Sequence, residues 1–154
     1  MKASGGDAGT NMTAIKGILD LMGGEVVIGP LHNDRDVIRL VRRGVPCQAV
    51  DYFVRISGIS FDALDPQVLT LSTFQKRQKN SQPLKQDESD RLLRVVCIVA
   101  AAREVFGDLK TAEIWLNRKN RALDGETPLA MADTHFGPLT VEALLGRIVQ
   151  GIAA

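Results

Sequence analysis

Few side chains in this sequence are of the kind that do covalent or metal chemistry, and none is spaced to do it. Cys47 and Cys97 have no CxxC partner and no nearby His, which argues against both a zinc site and a disulfide framework. Buried thiols in a reducing compartment are the reading they support. His135, one of two histidines, has no carboxylate or thiol at a ligand spacing. There is no Gly-rich phosphate loop after a strand and no Ser or Cys nucleophile with a spaced His, and Gly5-Gly6-Asp7-Ala8-Gly9 reads as a flexible arm. Neither catalysis nor a metal or cofactor is expected.

What the spacing offers is non-covalent recognition. In Leu71-Ser72-Thr73-Phe74-Gln75-Lys76-Arg77-Gln78-Lys79, Ser72 and Gln75 have the spacing of a capping box and Phe74 would anchor a helix. Lys76, Arg77 and Lys79 would then be exposed, either as a solvated basic helix end or as phosphate contacts. Arg35, Arg39 and Arg42 recur at i, i+4 and i+7 with the same two readings. The last forty residues form a second candidate. Leu123-Asp124-Gly125 is a turn whose Gly can take positive φ, and Thr127-Pro128 reads as an N-cap followed by Pro at the first helical position. Val141, Leu144, Leu145, Ile148, Val149 and Ile152 share one stripe of a final helix that Gly151 would end. That stripe needs a partner, either the domain core or another protein.

The elements that would position these residues are helical. Residues 1–11 are small and polar, Thr13 to Met22 has room for a short helix stopped by Gly23-Gly24, and Glu25 to Ile28 is β-prone but isolated. Taken together, residues 1–33 are expected to be a flexible N-terminal arm. From Asn33 the helical period takes over, with Val37, Leu40 and Val41 on one face. Gly44 ends that helix, and Pro46 opens the next in its first turn, with Ala49, Val50, Phe53, Val54 and Ile56 inward and Gly58 closing it. Ser60 is placed to cap a short segment holding Phe61 and Leu64, and Asp65-Pro66 must break it. Asn80-Ser81-Gln82-Pro83 is the best boundary in the chain. Beyond it, Asp87 and Asp90 start a long helix to about Phe106 that is apolar on nearly every side from Leu92 onward. In so short a chain such a helix suggests a subunit contact. Helices around Thr111–Asn117, Pro128–Ala132 and Leu139–Gln150 complete an all-α architecture.

At 154 residues and a net charge of +1, the chain can bury a core and is not a strongly basic nucleic-acid protein. Its charge is unevenly placed: residues 34–82 carry eight Lys/Arg against five Asp/Glu, and the segments on either side are each at −1. Such a modest excess implies DNA affinity that depends on dimerisation or on a complex. The first residues lack the apolar stretch of a signal peptide, and the longest apolar run, Val95 to Ala102, is far below the ~20 residues needed to cross a bilayer. A soluble, cytoplasmic protein with no membrane partner is expected.

Trp115-Leu116, Asn120-x-Ala122-Leu123-x-Gly125-x-Thr127-Pro128-Leu129, Thr134, Gly137 and Arg147-Ile148-x-x-Gly151 occur together and in register. That order closely resembles the C-terminal toxin-binding domain of the Xre/MbcA/ParS antitoxins, partners of toxins with a RES domain. The resemblance runs from about Gln86 to Gly151, includes the run Glu88-Ser89-Asp90-Arg91-Leu92, and continues more weakly back to about Gly29. The middle segment resembles an Xre-type helix-turn-helix, with Pro46 to Ser57 as support and Ser72 to Lys79 as recognition helix. The family pattern there is roughly Arg-Thr-Leu-x-Arg-Arg; this chain keeps Thr73 and Arg77 and has Lys76 for one Arg, losing a bidentate fork.

The resemblance implies base contacts from Thr73, Gln75 and Lys76 and phosphate contacts from Arg77 and Lys79. It also implies that Gly151, Ile152, Ala153 and Ala154, with Arg147 nearby, lie at or in the toxin's NAD-handling cleft. On this reading residues 34–82 are an Xre-like helix-turn-helix domain and residues 87–154 a toxin-binding and dimerisation domain. The implied function is that of a type II antitoxin, homodimeric through the long apolar helix, which occludes a NAD-degrading RES-domain toxin and represses its own operon by binding operator DNA. Two alternatives stay open: a stand-alone helix-turn-helix repressor whose C-terminal part only dimerises, and an interaction module with a vestigial helix-turn-helix.

Overall fold

The computed structural model describes residues 5–151, with side chains from Met12 onward. Among the described residues the chain forms nine α-helices, two 3-10 segments and no strand. The α-helices are α1 (Gly5–Leu21), α2 (Glu25–Ile28), α3 (Asp34–Arg43), α4 (Cys47–Ser57), α5 (Phe61–Leu64), α6 (Leu71–Lys79), α7 (Gln86–Phe106), α8 (Leu109–Leu116) and α9 (Phe136–Val149). The 3-10 segments, Arg121–Leu123 and Leu129–Asp133, lie between α8 and α9.

α7 is the axis of the molecule. Leu92, Val95, Val96, Ile98, Val99 and Ala102 are buried within a single chain, under α1, α3, α8, α9 and the 3-10 helix Leu129–Asp133. A helix apolar on all sides needs cover on all sides, and here the chain supplies most of it itself, leaving the stripe of Arg94, Cys97, Ala101 and Glu104 partly open. The buried apolar residues of α7 therefore find their cover within the chain and do not by themselves require a second subunit.

Residues 12–33 are likewise no flexible arm. Ile15, Ile18, Leu21 and Met22 are buried, Arg103 on α7 reaches Asp20 at 3.2 Å, and α1 packs on α3, α4 and α7. The i, i+3, i+6 spacing of Ile15, Ile18 and Leu21 carried this signal, each such side chain contributing about 1.5–3 kcal/mol when buried. Residues 1–4 lie outside the described residues. Glu25–Ile28, read as β-prone, is instead one helical turn bracketed by Gly24 (φ 76°) and Gly29 (φ 80°), with Ile28 in the core. Local β propensity yields to the tertiary contact.

The middle helices follow the sequence pattern closely. Asn33 caps α3 by accepting the Asp36 N–H at 3.1 Å, with acids in the first turn and Arg42 and Arg43 in the last. In α4 the inward positions are Ala49, Val50, Phe53 and Ser57; Ile56, expected inside, is exposed. Ser57 holds its core position by donating to the Phe53 carbonyl at 2.6 Å and accepting the Ile59 N–H at 3.1 Å. Gly44 (φ 95°) lets the α3–α4 turn lie against the Leu84 carbonyl, 2.2 Å from where a Cβ would stand.

The C-terminal part is a succession of capped turns. Asn120 accepts the Ala122 N–H through its side chain and the Leu123 and Gly125 N–H groups through its carbonyl. The turn it organises has Asp124 (φ 56°) and Gly125 (φ 85°) in left-handed geometry. Thr127 accepts the Ala130 N–H at 3.1 Å, as an N-cap before Pro should. Thr134 accepts the Gly137 N–H at 3.2 Å and so opens α9 three residues earlier than Leu139. Gly137 is required there by close packing: an added Cβ would lie 1.4 Å from the Met131 carbonyl oxygen.

The two helical glycines of α9 give a matched test. Gly137→Ala should cost about 2–3 kcal/mol or more through overpacking. Gly146→Ala, which meets open space, should stabilise the helix by about 0.5–1 kcal/mol. Urea midpoints read both; equal shifts would contradict the packing described.

Candidate nucleic-acid interface and terminal binding surface

α6 begins one residue before Ser72. Its N-cap is Thr70, which accepts the Thr73 N–H at 3.2 Å, while Asp65 accepts the Leu71 N–H at 3.0 Å. Ser72 is thereby released from the capping role read from its spacing with Gln75. Phe74 is buried against the tilted ring of Phe61, centroids 5.1 Å apart, as an anchor should be. The exposed face is Ser72, Gln75, Lys76 and Lys79, one stripe at i, i+3, i+4 and i+7.

The five expected DNA contacts thus separate into two groups. Gln75, Lys76 and Lys79 lie together on the open face. Thr73 is half-buried and its hydroxyl accepts from Thr70 at 2.8 Å, within the cap. Arg77 points the opposite way. Its guanidinium makes a two-pronged pair with the Glu88 carboxylate of α7, one arm at 3.2 Å, with the two side chains only 13% and 10% exposed. Arg77 as a phosphate contact is corrected: a buried carboxylate needs a bidentate, permanently charged partner, and Arg supplies one where Lys cannot. Ser72 joins the open face instead, a position that its i+3, i+4 and i+7 relation to Gln75, Lys76 and Lys79 already marked.

Glu88 also accepts the Lys85 N–H at 2.8 Å. Burial alone would push its carboxyl up, but the Arg77 guanidinium and the Lys85 N–H outweigh it and hold the group below the ordinary glutamate value. The residues around it are anchors too. The Ser89 hydroxyl accepts the Val45 N–H at 2.9 Å, and Arg91 donates to the Val68 carbonyl at 3.0 and 3.3 Å besides pairing with Asp87 at 3.4 Å.

At the other end of the chain the apolar stripe of α9 meets the core. Val141, Leu144 and Leu145 are buried and Ile148 is half-buried, whereas Val149 is 67% exposed. The opposite face, Leu139, Glu142, Gly146 and Val149, borders two shallow grooves of about 590 and 610 Å³ that meet at Cys97 of α7. Burial pushes the Cys97 thiol up to about 11, with the Glu142 carboxylate adding to the effect, which favours the protonated thiol at neutral pH. Burial also raises the Glu142 carboxyl. Arg147 and Gly151 (φ 74°) are both exposed and sit one turn apart; Ile152, Ala153 and Ala154 lie outside the described residues. Leu139 and Val149 were missed as a surface pair because Glu142 and Gly146 interrupt the apolar period between them.

Residues 36–96 match the Antitoxin Xre-like helix-turn-helix domain family, and residues 101–151 match the Antitoxin Xre/MbcA/ParS C-terminal toxin-binding domain family. The chain thus carries an Xre-like helix-turn-helix domain and an Xre/MbcA/ParS C-terminal toxin-binding domain. Among its relatives is an antitoxin Xre of Pseudomonas putida, 40% identical over 85 residues that make up 55% of this chain and 54% of that one. A Sphingobium protein named Prs ADP-ribosylating antitoxin is 26% identical over 132 residues, 77% of this chain and 81% of that one. An antitoxin Xre of Yersinia enterocolitica is 33% identical over 67 residues, 43% of this chain and 45% of that one. This chain therefore spans about half the length of the two Xre relatives. The two matched ranges end and begin inside α7, so the helix-turn-helix and the toxin-binding domain share that helix. No helix among the described residues is long and apolar enough to cross a membrane.

A carboxylate held below its ordinary value in the folded state stabilises the fold above its unfolded pKa, ~4.3 for Glu. That contribution fades as pH falls through the lowered folded value. The difference in unfolding free energy between the parent and Glu88→Gln should therefore be largest above about pH 5 and shrink below it. Urea unfolding between pH 3 and 7 measures it; a pH-independent difference would mean that the Glu88 charge is not what matters.

Proposed function

We propose that this chain is the antitoxin of a type II toxin–antitoxin pair, with α6 reading operator DNA and the C-terminal module binding the toxin. The observation that carries the reading is the joining, through α7, of a helix-turn-helix with an open polar and basic face to a matched toxin-binding domain. The DNA contacts assigned are Gln75, Lys76 and Lys79, with Ser72 beside them. Thr73 and Arg77 act from within. The toxin contacts assigned are Arg147 and residues 151–154; of these, Arg147 and Gly151 are exposed at the end of α9, the helix that also exposes Leu139 and Val149.

Neutralisation by occlusion needs no catalytic residue. The partner proposed is a RES-domain toxin that degrades NAD. The name of the Sphingobium relative favours a second chemistry for the partner, ADP-ribosylation, which also consumes NAD. Measuring the NAD pool and protein-bound ADP-ribose in the same cells separates the two.

Co-expression with the product of the adjacent gene, scored for growth and co-purification, is the direct test. Rescue with a stable complex is the expected result; a harmless neighbour, or toxicity without rescue, would favour a stand-alone repressor. Removing residues 152–154 should abolish rescue while leaving helix content and urea midpoint unchanged, and full protection by that truncation would move the blocking surface elsewhere. Lys76→Ala/Lys79→Ala should lower the slope of log K against log salt by about two, one phosphate each. An unchanged slope would remove α6 as the DNA face.

A further inference from the structure

On the reading that α6 meets DNA, we propose that Arg77 and Glu88 are a positioning pair that sets the rotation of α6 relative to α7, and so aims the Ser72, Gln75, Lys76 and Lys79 face. Phe74 alone would not do this. Its contact with Phe61 and the core is apolar and weakly directional, so it would hold α6 down while leaving it free to roll. The Arg77–Glu88 contact is directional, because two parallel N–H···O bonds fix both the distance and the plane of the guanidinium. Glu88 is itself immobilised: the Lys85 N–H holds its carboxylate within the first turn of α7, so it is a fixed point for Arg77. Arg77 lies on the side of α6 away from the open face, and because the helix turns as a unit, a roll that breaks its pair with Glu88 turns Gln75 and Lys76 with it.

Two further tethers act in the same sense. Gln78 donates to Asp51 of α4 at 2.7 Å, and Arg91 of α7 grips the Val68 carbonyl just before α6. Glu88 is thus an acid kept inside a DNA-reading unit, where long-range electrostatics alone would disfavour it. Positioning and electrostatics consequently predict opposite signs when its charge is removed.

The experiment measures binding to a duplex from the region upstream of the chain's own gene and to a scrambled duplex of equal length. Affinities are taken over a salt series, with helix content checked by circular dichroism at the same temperature. Glu88→Gln should weaken upstream-duplex binding about tenfold, the scale of one base contact. Its affinity for the scrambled duplex should hold or rise, and its salt slope should not change. Arg77→Met should likewise weaken upstream-duplex binding more than scrambled-duplex binding and leave the salt slope unchanged. Upstream-duplex binding as tight as or tighter than the parent in Glu88→Gln overturns the proposal, as does a salt slope lower by about one in Arg77→Met, which would make Arg77 a phosphate contact. If Glu88→Gln does not fold, Gln78→Ala replaces it by loosening the exposed tether. A smaller but measurable loss of specificity is then expected, and none would overturn the role. Lys76→Ala/Lys79→Ala separates the levels. A flattened slope there with an unaffected Glu88→Gln sinks the positioning pair alone, and an unflattened slope sinks the DNA reading on which it rests.

Discussion

The burial of α7 over most of its surface is the constraint from which the rest of the molecule follows. Its middle and end, Leu92 to Ala102, have almost no polar atom to offer, so other helices must close around it. α1, α3, α8 and α9 do so, each with its own apolar stripe. Because the helix-turn-helix match ends at residue 96 and the toxin-binding match starts at 101, neither half encloses its own core. Cutting between them would expose Val95, Val96, Ile98 and Val99 together. The two matched regions share one hydrophobic core.

The first turn of α7 has a different task. Glu88, Ser89 and Arg91 face three separate parts of the helix-turn-helix: α6, the α3–α4 turn and the loop before α6. Each contact satisfies a group that would otherwise be buried without a partner, which costs more than the bond itself contributes. Placing polar anchors at the head of an apolar helix gives it a register. Hydrophobic burial supplies the association, and hydrogen bonds select one arrangement among the many that burial alone would tolerate.

Arg and Lys divide their work on α6 according to their chemistry. Arg77 goes inward to a carboxylate that a flat, forked cation can satisfy; Lys76 and Lys79, more strongly hydrated, stay out. α9 shows the same two-sidedness in apolar terms. Val141, Leu144 and Leu145 complete the core, while Leu139 and Val149 remain on the surface with Arg147 and Gly151 at its end. What is exposed on each helix is what the fold did not use.

From the sequence alone, the all-α class, most helix limits, the turn at Leu123-Asp124-Gly125, the Thr127-Pro128 start and the anchoring role of Phe74 could be read. All of these are local: a period of 3.6, a cap, a residue suited to positive φ. The same local reading set the family resemblance, because it rests on residues close together in the chain. What it could not decide were matters of partnership. Whether the apolar positions of α7 find cover within the chain, whether Ile15 to Leu31 dangle or pack, and whether Arg77 faces a phosphate or Glu88 all turn on which surfaces come together. An apolar stripe has the same spacing whatever covers it, and an arginine has the same charge whichever acid it finds. Only the tertiary structure chooses, because burial and pairing are properties of two segments at once and neither segment contains the choice by itself.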